Sequence, residues 1–559
     1  AAGQAAAESA PDSWYDDVDC KGAFASAAAA DNWLLGWSWL DCAGKMAGGT
    51  CSGLGTSPFA TLADTVEALG GTLAASTSLV SSKSYLLQSQ LFVPSGKTLT
   101  IPAGTTIYAL PAVSGGVAPA VIVEQGATIM AAGTAAAPIT MTTILAESAM
   151  ASTTVVTSDT ASSSGTSALG ETGKWGGLII LGSAPTSAAS YTSNYVEGIT
   201  GKPYGGTNPT DSSGTLQYVR VWHGGAVIGS DNEINGITFG GVGSGTEVSH
   251  CEVAFNADDG FEFFGGTVNV KYLSVLFGGD DSFDTDEGYQ GKGQFLFTML
   301  GEQGNHGTEM DSKYENLPRS HPQFYGMTII GGGAANTDKG ALMRLREGTG
   351  GKFGNLVLAH APTGKAGIEH KDCSTEVTTQ DLSSVDATDL NGYLYISPNN
   401  VIDATPAFKQ DECDGATDAL TQYVSGAPGF AAVSSSMLDY SDMTANSFSP
   451  LPSNNGVTMC SGTVDDPTTI DPSFFSAATC KGAFASASDN WLAGWSWLAC
   501  KGVLIDGTCS GIAAAPFAAL MDTVEGLGGD LTASKTLSAS TSYLLTSQLF
   551  VKNGVTLTV

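Results

Sequence analysis

Six carboxylates in two short strings carry the strongest chemical signal in the chain. Asp258, Asp259 and Glu262 in DDGFEFF recur as Asp280, Asp281 and Asp284 in DDSFDTD. If the two strings are stacked strands, equivalent carboxylates lie about 4.8 Å apart. Like charges at that spacing raise one another's pKa unless a cation or hydrogen-bond donors intervene. Two readings compete. Aspartates at turns accept backbone N–H groups and need no ligand; alternatively, the six share calcium between layers, since calcium takes hard oxygen donors. The string DSFDTDEG misses the spacing of the helix-loop-helix calcium loop, because Gly288 stands where a third oxygen ligand is needed. A longer row of Glu262, Asp284, Asp311, Arg344, Arg346, Glu369 and His370 also invites acid–base chemistry. Two carboxylates can work on a glycosidic bond, and an arginine beside cation-bound carboxylates can take a proton from a uronic acid. Charges in register on a sheet more often form a solvated face. The expectation is a structural or calcium-binding row, with no catalytic residue.

The positioning elements are strands that recur. VSHCEVAF from Val248 is followed by VKYLSVLF from Val270 and by QFLFTML from Gln294. Such recurrence is one coil of a β-solenoid. Constant spacing places Cys251 under Leu273 and Phe295, Val253 under Val275 and Phe297, and Phe255 under Phe277 and Met299, with His250, Glu252 and Lys271 pointing outward. Phe261 stacks inside on Phe283, while Glu262 sits outside beside Asp284. Further strand cores are GGLIILG, QYVRVWH, QFYGMTIIG, ALMRLRE and KFGNLVLAH. The strings GKWGGLIILGSAP, GTLQYVRVWHGG, EINGITFGGVGSGTEVSHCEVAFNADDGFEFFGGTVNVKYL, GGDDSFDTDEGYQGKGQF, LPRSHPQFYGMTIIG and LREGTGG resemble a family of secreted right-handed parallel β-helix surface proteins, bacterial in type. The likeness spans about residues 90 to 375. It implies an all-β fold, a right-handed parallel β-helix, and no particular activity.

A long duplication frames this body. CKGAFASAAAADNWLLGWSWLDC from Cys20 returns as CKGAFASASDNWLAGWSWLAC from Cys480, and from Trp33 and Trp491 onward the offset is constant at 491 − 33 = 458 residues. The expected organisation is a leader at 1–19, a small Cys/Trp-rich, partly helical module at 20–90, the β-helix at 91–400, a loop-rich disulfide-clipped segment at 401–479, and the second module with the start of a further repeat at 480–559. Small modules thus flank the β-helix at both ends of the sequence, and the native polypeptide is expected to continue into further units. SPFATLADTVEALGG reads as a helix stopped by Gly70 and Gly71. Trp33 and Trp37, like Trp491 and Trp495, stand at helical i, i+4 spacing, as do buried clusters; Trp39 and Trp497 complete the set. A sugar platform is the other use of such aromatics.

Composition bounds the rest. A formal charge of −32 repels phosphate backbones and anionic membranes alike. Carboxylate excess at this level is tolerated where salt or divalent cations screen it. Ten cysteines with no CxxC pair point to loop-clipping disulfides of a secreted, extracellular or cell-surface protein rather than to zinc. The expected bridges are Cys42–Cys51, its counterpart Cys500–Cys509, Cys373–Cys413, and Cys460–Cys480 across the junction of units, with Cys20 unpaired and Cys251 a buried thiol. No sequon is present, no window is apolar enough for a membrane span, and no nucleophile triad or phosphate loop is recognisable. The expected function is an extracellular structural protein, the repeat unit of a fibre, filament or surface layer. Its partners are copies of itself. An adhesin or carbohydrate-binding stalk is the first rival, and a polysaccharide lyase or hydrolase the second.

Overall fold

The computed structural model describes residues 66–112, 117–144, 172–187, 194–196, 199, 201–226, 234–301, 304–312, 317–332, 340–372, 394–412, 448–450, 458–460, 462–505, 507–509, 524–538 and 542–559. From Val66 to Asp411, 24 described strands join in one parallel arrangement. Each coil contributes a long strand, such as Glu247–Ala254, Asn269–Leu276 or Lys292–Met299, and a short one, such as Phe261–Phe264 or Phe283–Asp286. Long strands pair with long and short with short, coil upon coil, which is the right-handed parallel β-helix. The core is one continuous column of apolar side chains inside the coils, with Phe261 stacked on Phe283 at 5.8 Å and Phe239 on Phe263 at 5.2 Å. Residues on both faces of most strands are buried, as expected for parallel strands packed inside and covered outside.

Each long strand is two strands joined at a bend. Tyr218, His250, Tyr272, Phe295, Gly326 and Asn355 stand at equivalent places with φ of 48°, 53°, 57°, 62°, 73° and 55°. A left-handed residue inserts one position, so Val248 and Cys251, three apart, both face the core. The same bend lets two short strands, Thr128–Ala132 and Ile139–Thr143, pair with the two halves of Gly214–Trp222. The coil is therefore three-sided. Left-handed geometry costs about 1–2 kcal/mol for a residue other than glycine. The side chains placed there offset it by stacking, Tyr218 on His250 at 4.3 Å, His250 on Tyr272 at 4.4 Å and Tyr272 on Phe295 at 5.1 Å, at about 0.5–1.5 kcal/mol per aromatic pair.

The bend corrects part of the expected register. Cys251 does pair with Leu273, and Val253 with Val275, but Leu273 pairs with Leu296 and not Phe295, because the next coil is one residue longer. Phe297 accordingly faces outward into a second apolar cluster. Phe255 and Phe277, themselves left-handed at 56°, belong to that outer cluster rather than to the core. The expected helix over SPFATLADTVEALGG is also overturned where it is described. Val66–Thr72 is a strand paired with Ser84–Val93, with a bulge at Gly70, whose φ of 156° an L side chain rarely adopts. Described strands of the β-helix thus reach back to Val66, well before residue 91. The repeated sequence forms the same pair again, Val524–Leu531 with Ser542–Val551.

Candidate functional site

On the outer face of the short strands one ladder runs Thr238, Glu262, Asp284, Glu309, Arg344, Glu369, Lys409. The expected adjacency of Glu262 and Asp284 is present. Glu309 joins the row although its spacing from Asp284, 25 residues, hid it. His370 leaves the row: it pairs with Leu345 on the inward-facing column and is buried. Asp311 and Arg346 lie just past their strands and pair with each other at 2.6 Å. The row is not the solvated face that charge in register suggests. Glu262, Asp259, Asp281, Asp311 and Glu369 are each buried.

Its two halves differ in charge. Towards the C-terminal coils, Arg344 bridges Glu309 at 3.2 Å and Glu369 at 2.9 Å, Arg346 reaches Glu309 at 3.0 Å, and Lys409 reaches Glu369 at 3.2 Å. Burial works against the Glu369 carboxylate, yet Arg344 and Lys409 hold it below the usual range. Towards the N-terminal coils Glu262 and Asp284 face one another along the ladder. Burial, then neighbouring carboxylates, push Asp259, Asp281 and Asp284 well above the usual carboxylate range. Asp311 is pushed up to about 7 by burial against the opposing pull of Arg346.

Asp259 and Asp281 also serve as turn aspartates. Asp281 donates its backbone N–H to Asp259 Oδ1 at 2.9 Å, and His306 donates its own to Asp281 Oδ1 at 2.6 Å. The His306 ring, wholly buried, adds a contact from Nδ1 to the same oxygen at 2.8 Å. Both aspartates therefore stitch one coil to the next. Oxygens of Asp259, Glu262 and Asp284 nevertheless lie within 4.8 Å of one another, as do those of Asp258, Asp259 and Asp280. Asn235 donates to Glu262. Asp284 Oδ1 and Asn235 Oδ1 are buried without a hydrogen-bond partner. An all-oxygen donor set with two unsatisfied buried oxygens fits a hard divalent cation, which would neutralise the repulsion and could polarise an acidic sugar. A third grouping, Asp281, His306 and Glu309, mixes nitrogen with oxygen.

The second distinctive site lies on the flank formed by the long strands. The segment after the β-helix doubles back along it. Asn355 and Asn399 hold Asp465, Lys292 bridges Asp471 at 2.9 Å, and Gln294 exchanges two hydrogen bonds with Ser476. Cys460 is bonded to Cys480, and Cys500 to Cys509. The second Trp module then covers the aromatic ladder. Trp495 meets Tyr218 edge-on at 5.4 Å, Trp491 meets Tyr272 at 5.6 Å, and Trp497 meets Phe255 at 5.0 Å. All three tryptophans are buried, so in this copy they form no open sugar platform.

At the centre of this contact two charged side chains are enclosed. Arg220 donates to the Trp495 carbonyl at 2.8 Å and to Thr140 Oγ1 at 3.0 Å. Glu252 accepts from the Trp497 backbone at 2.8 Å and from Trp222 Nε1 at 3.1 Å. Glu252 does point out of the β-helix as expected, but into the module and not into water. Burial pushes its carboxyl up to about 7 against these donors and Arg220. Cys251 is a free, buried thiol. Cys20, Cys42, Cys51, Cys373 and Cys413, with the bridges expected of them, and Trp33, Trp37 and Trp39 lie outside the described residues.

The family described as a pectate-lyase like beta helix domain matches residues 71–417. No curated protein and no solved structure matches the chain. No described helix is long and apolar enough to cross a membrane.

Proposed function

The chain belongs to the family of pectate-lyase-like β-helix domains, and from that premise we propose that it is an extracellular structural protein in which β-helices are joined in series as tandem units. The observation that supports this most is the seating of the repeated module. Residues from Cys480 open the second copy of the repeat in sequence, yet in space they close the flank of the β-helix before them through Trp491, Trp495 and Trp497. The bridge Cys460–Cys480 ties the segment at the same junction. A repeat that is both covalently continuous and packed onto its predecessor transmits load along the chain. Two disulfides also suit an oxidising, extracellular setting. Negative-stain microscopy of the native material tests this. A fibre or layer with a regular axial repeat is expected; dispersed particles that bind a glycan array would favour an adhesive stalk instead.

The carboxylate ladder supports a second reading, cleavage of an acidic polysaccharide. Asp259, Glu262 and Asp284 would hold calcium, which would draw a uronate carboxylate to the face, while Arg344 or Arg346 would serve as the base. Both arginines already engage carboxylates, which ranks this reading second. Incubation with polygalacturonate, with and without calcium, checks it through the absorbance of unsaturated uronates. Calcium-dependent release that is lost in Glu262→Gln and Arg344→Ala would make it the primary function.

A further inference from the structure

The module seated on the flank has a second copy in this chain, and the flank it occupies is built from residues that meet it one by one. Phe484, Trp491, Trp495 and Trp497 make its aromatic contacts, and Cys500 and Cys509 close its loop. Each has its counterpart in the first copy, as Phe24, Trp33, Trp37, Trp39, Cys42 and Cys51. Backbone groups supply the polar contacts, through the Trp495 carbonyl and the Trp497 N–H, so they do not depend on side-chain identity. We propose that residues 20–51 are a docking element for the Tyr218–His250–Tyr272 flank of a second copy of this chain, so that chains associate head to tail wherever that flank is open.

Three observations favour a second copy over an unrelated partner. The flank is selective, since Arg220 and Glu252 sit at its centre and would be left buried and unpaired beneath a surface lacking a matching carbonyl and N–H. The sequence that satisfies it recurs with the same tryptophan spacing. The contact is also heterologous, joining one end of the repeat to the side of another, and such contacts generate open chains rather than closed dimers. The first copy differs in charge at two buried places, where Ala499 and Val503 are replaced by Asp41 and Lys45, and exchanges buried Leu504 for Met46. These changes make the first copy the weaker occupant. The tethered copy, at high effective concentration, therefore holds the flank within its own chain.

The inference rests on the serial-array reading for its biological use. It is tested on the full chain by sedimentation velocity across the micromolar range. Trp491→Ala/Trp495→Ala/Trp497→Ala opens the flank and is expected to raise the weight-average mass at least twofold, and further as concentration increases. Adding Trp33→Ala/Trp37→Ala/Trp39→Ala should return the chain to monomer, although the same aromatic flank stays exposed. A monomeric first variant with an unchanged far-ultraviolet spectrum, or equal association of both variants, overturns the proposal. Should the first variant fail to fold, the milder Trp495→Ala chain, in which the tethered copy loosens its hold on the flank, is mixed with its isotope-labelled form and cross-linked through lysines to decide. Links from Lys21 or Lys45 of one copy to Lys271 of the other support the docking, and their absence at high concentration overturns it. The two ideas fail separately. Monomeric variants beside a regular native fibre would remove the docking element and leave the array, whereas association without any native fibre would do the reverse.

Discussion

Glu252 and Asp284 illustrate how one physical cause, burial of a carboxylate, has different consequences at two places. Glu252 rises from 4.5 to about 7 in the folded chain. Its contribution is fully present below pH 4.5 and is lost as pH climbs to about 7, an amount on the order of a few kcal/mol for a shift of this size. Glu252→Gln should remove that slope. The difference in melting temperature, wild type minus variant, should fall as pH rises through this window, and a flat difference curve would contradict the assignment. Asp284 is raised by burial and then by Asp259 and Glu262. Asp284→Asn should therefore stabilise the calcium-free protein at neutral pH, seen as a higher melting temperature than the wild type's. The same variant should lose most of the melting-point gain that calcium gives the wild type; calorimetry showing the same gain in both would exclude a cation at this cluster. The pairing of Glu262 with Asp284 was legible because both coils have equal length. Glu309 and His306 were not, because the added residues of the next coil broke the constant spacing on which recognition depended.

The long strands show why alternation alone misassigns faces. A strand with a left-handed residue at its middle keeps period two on either side but shifts phase across the bend, and Tyr218, His250 and Tyr272 carry none of the glycine that usually marks such a shift. Their aromatic type has another reason, since they stack on one another and meet the module. Tyr272 is half-buried, so Tyr272→Ala should accordingly destabilise the fold by less than the about 3–5 kcal/mol of a fully buried aromatic. Tyr272→Gly should cost about 1 kcal/mol less, because glycine accepts the left-handed backbone that alanine resists. Chemical denaturation that ranked glycine below alanine would refute the bend as the reason. A similar lesson holds for VEALGGT, which carries helix-forming residues but becomes a strand. Pairing with Ser84–Val93 and the core contact of Leu69 outweigh its local preference.

For the molecule as a whole, the β-helix was readable from repetition, while the place of the module was not. Tryptophans at helical spacing declare that they will be buried; nothing in their order names the surface that buries them. The flank that does so draws on strands far earlier in the chain, with Arg220 reaching the Trp495 carbonyl across a sequence separation of 275. The bridge Cys460–Cys480 closes a loop of 20 residues, and its removal in Cys460→Ser/Cys480→Ser should cost about 3 kcal/mol by loop entropy. That loss should appear as earlier release of the module, seen as tryptophan fluorescence shifting to the red before the β-sheet signal falls; coincident transitions would show that the module and the β-helix unfold as one. The seating of the module also imposes an order on synthesis. The last described strand of the β-helix ends at Asp411 and Cys480 follows 480 − 411 = 69 residues later. A ribosome therefore completes these strands with their aromatic side bare, and must translate into the second copy of the repeated sequence before that side is sealed. The row of rings waits on the repeated sequence that follows it, so an interrupted message leaves behind a chain marked by one uncovered row of rings.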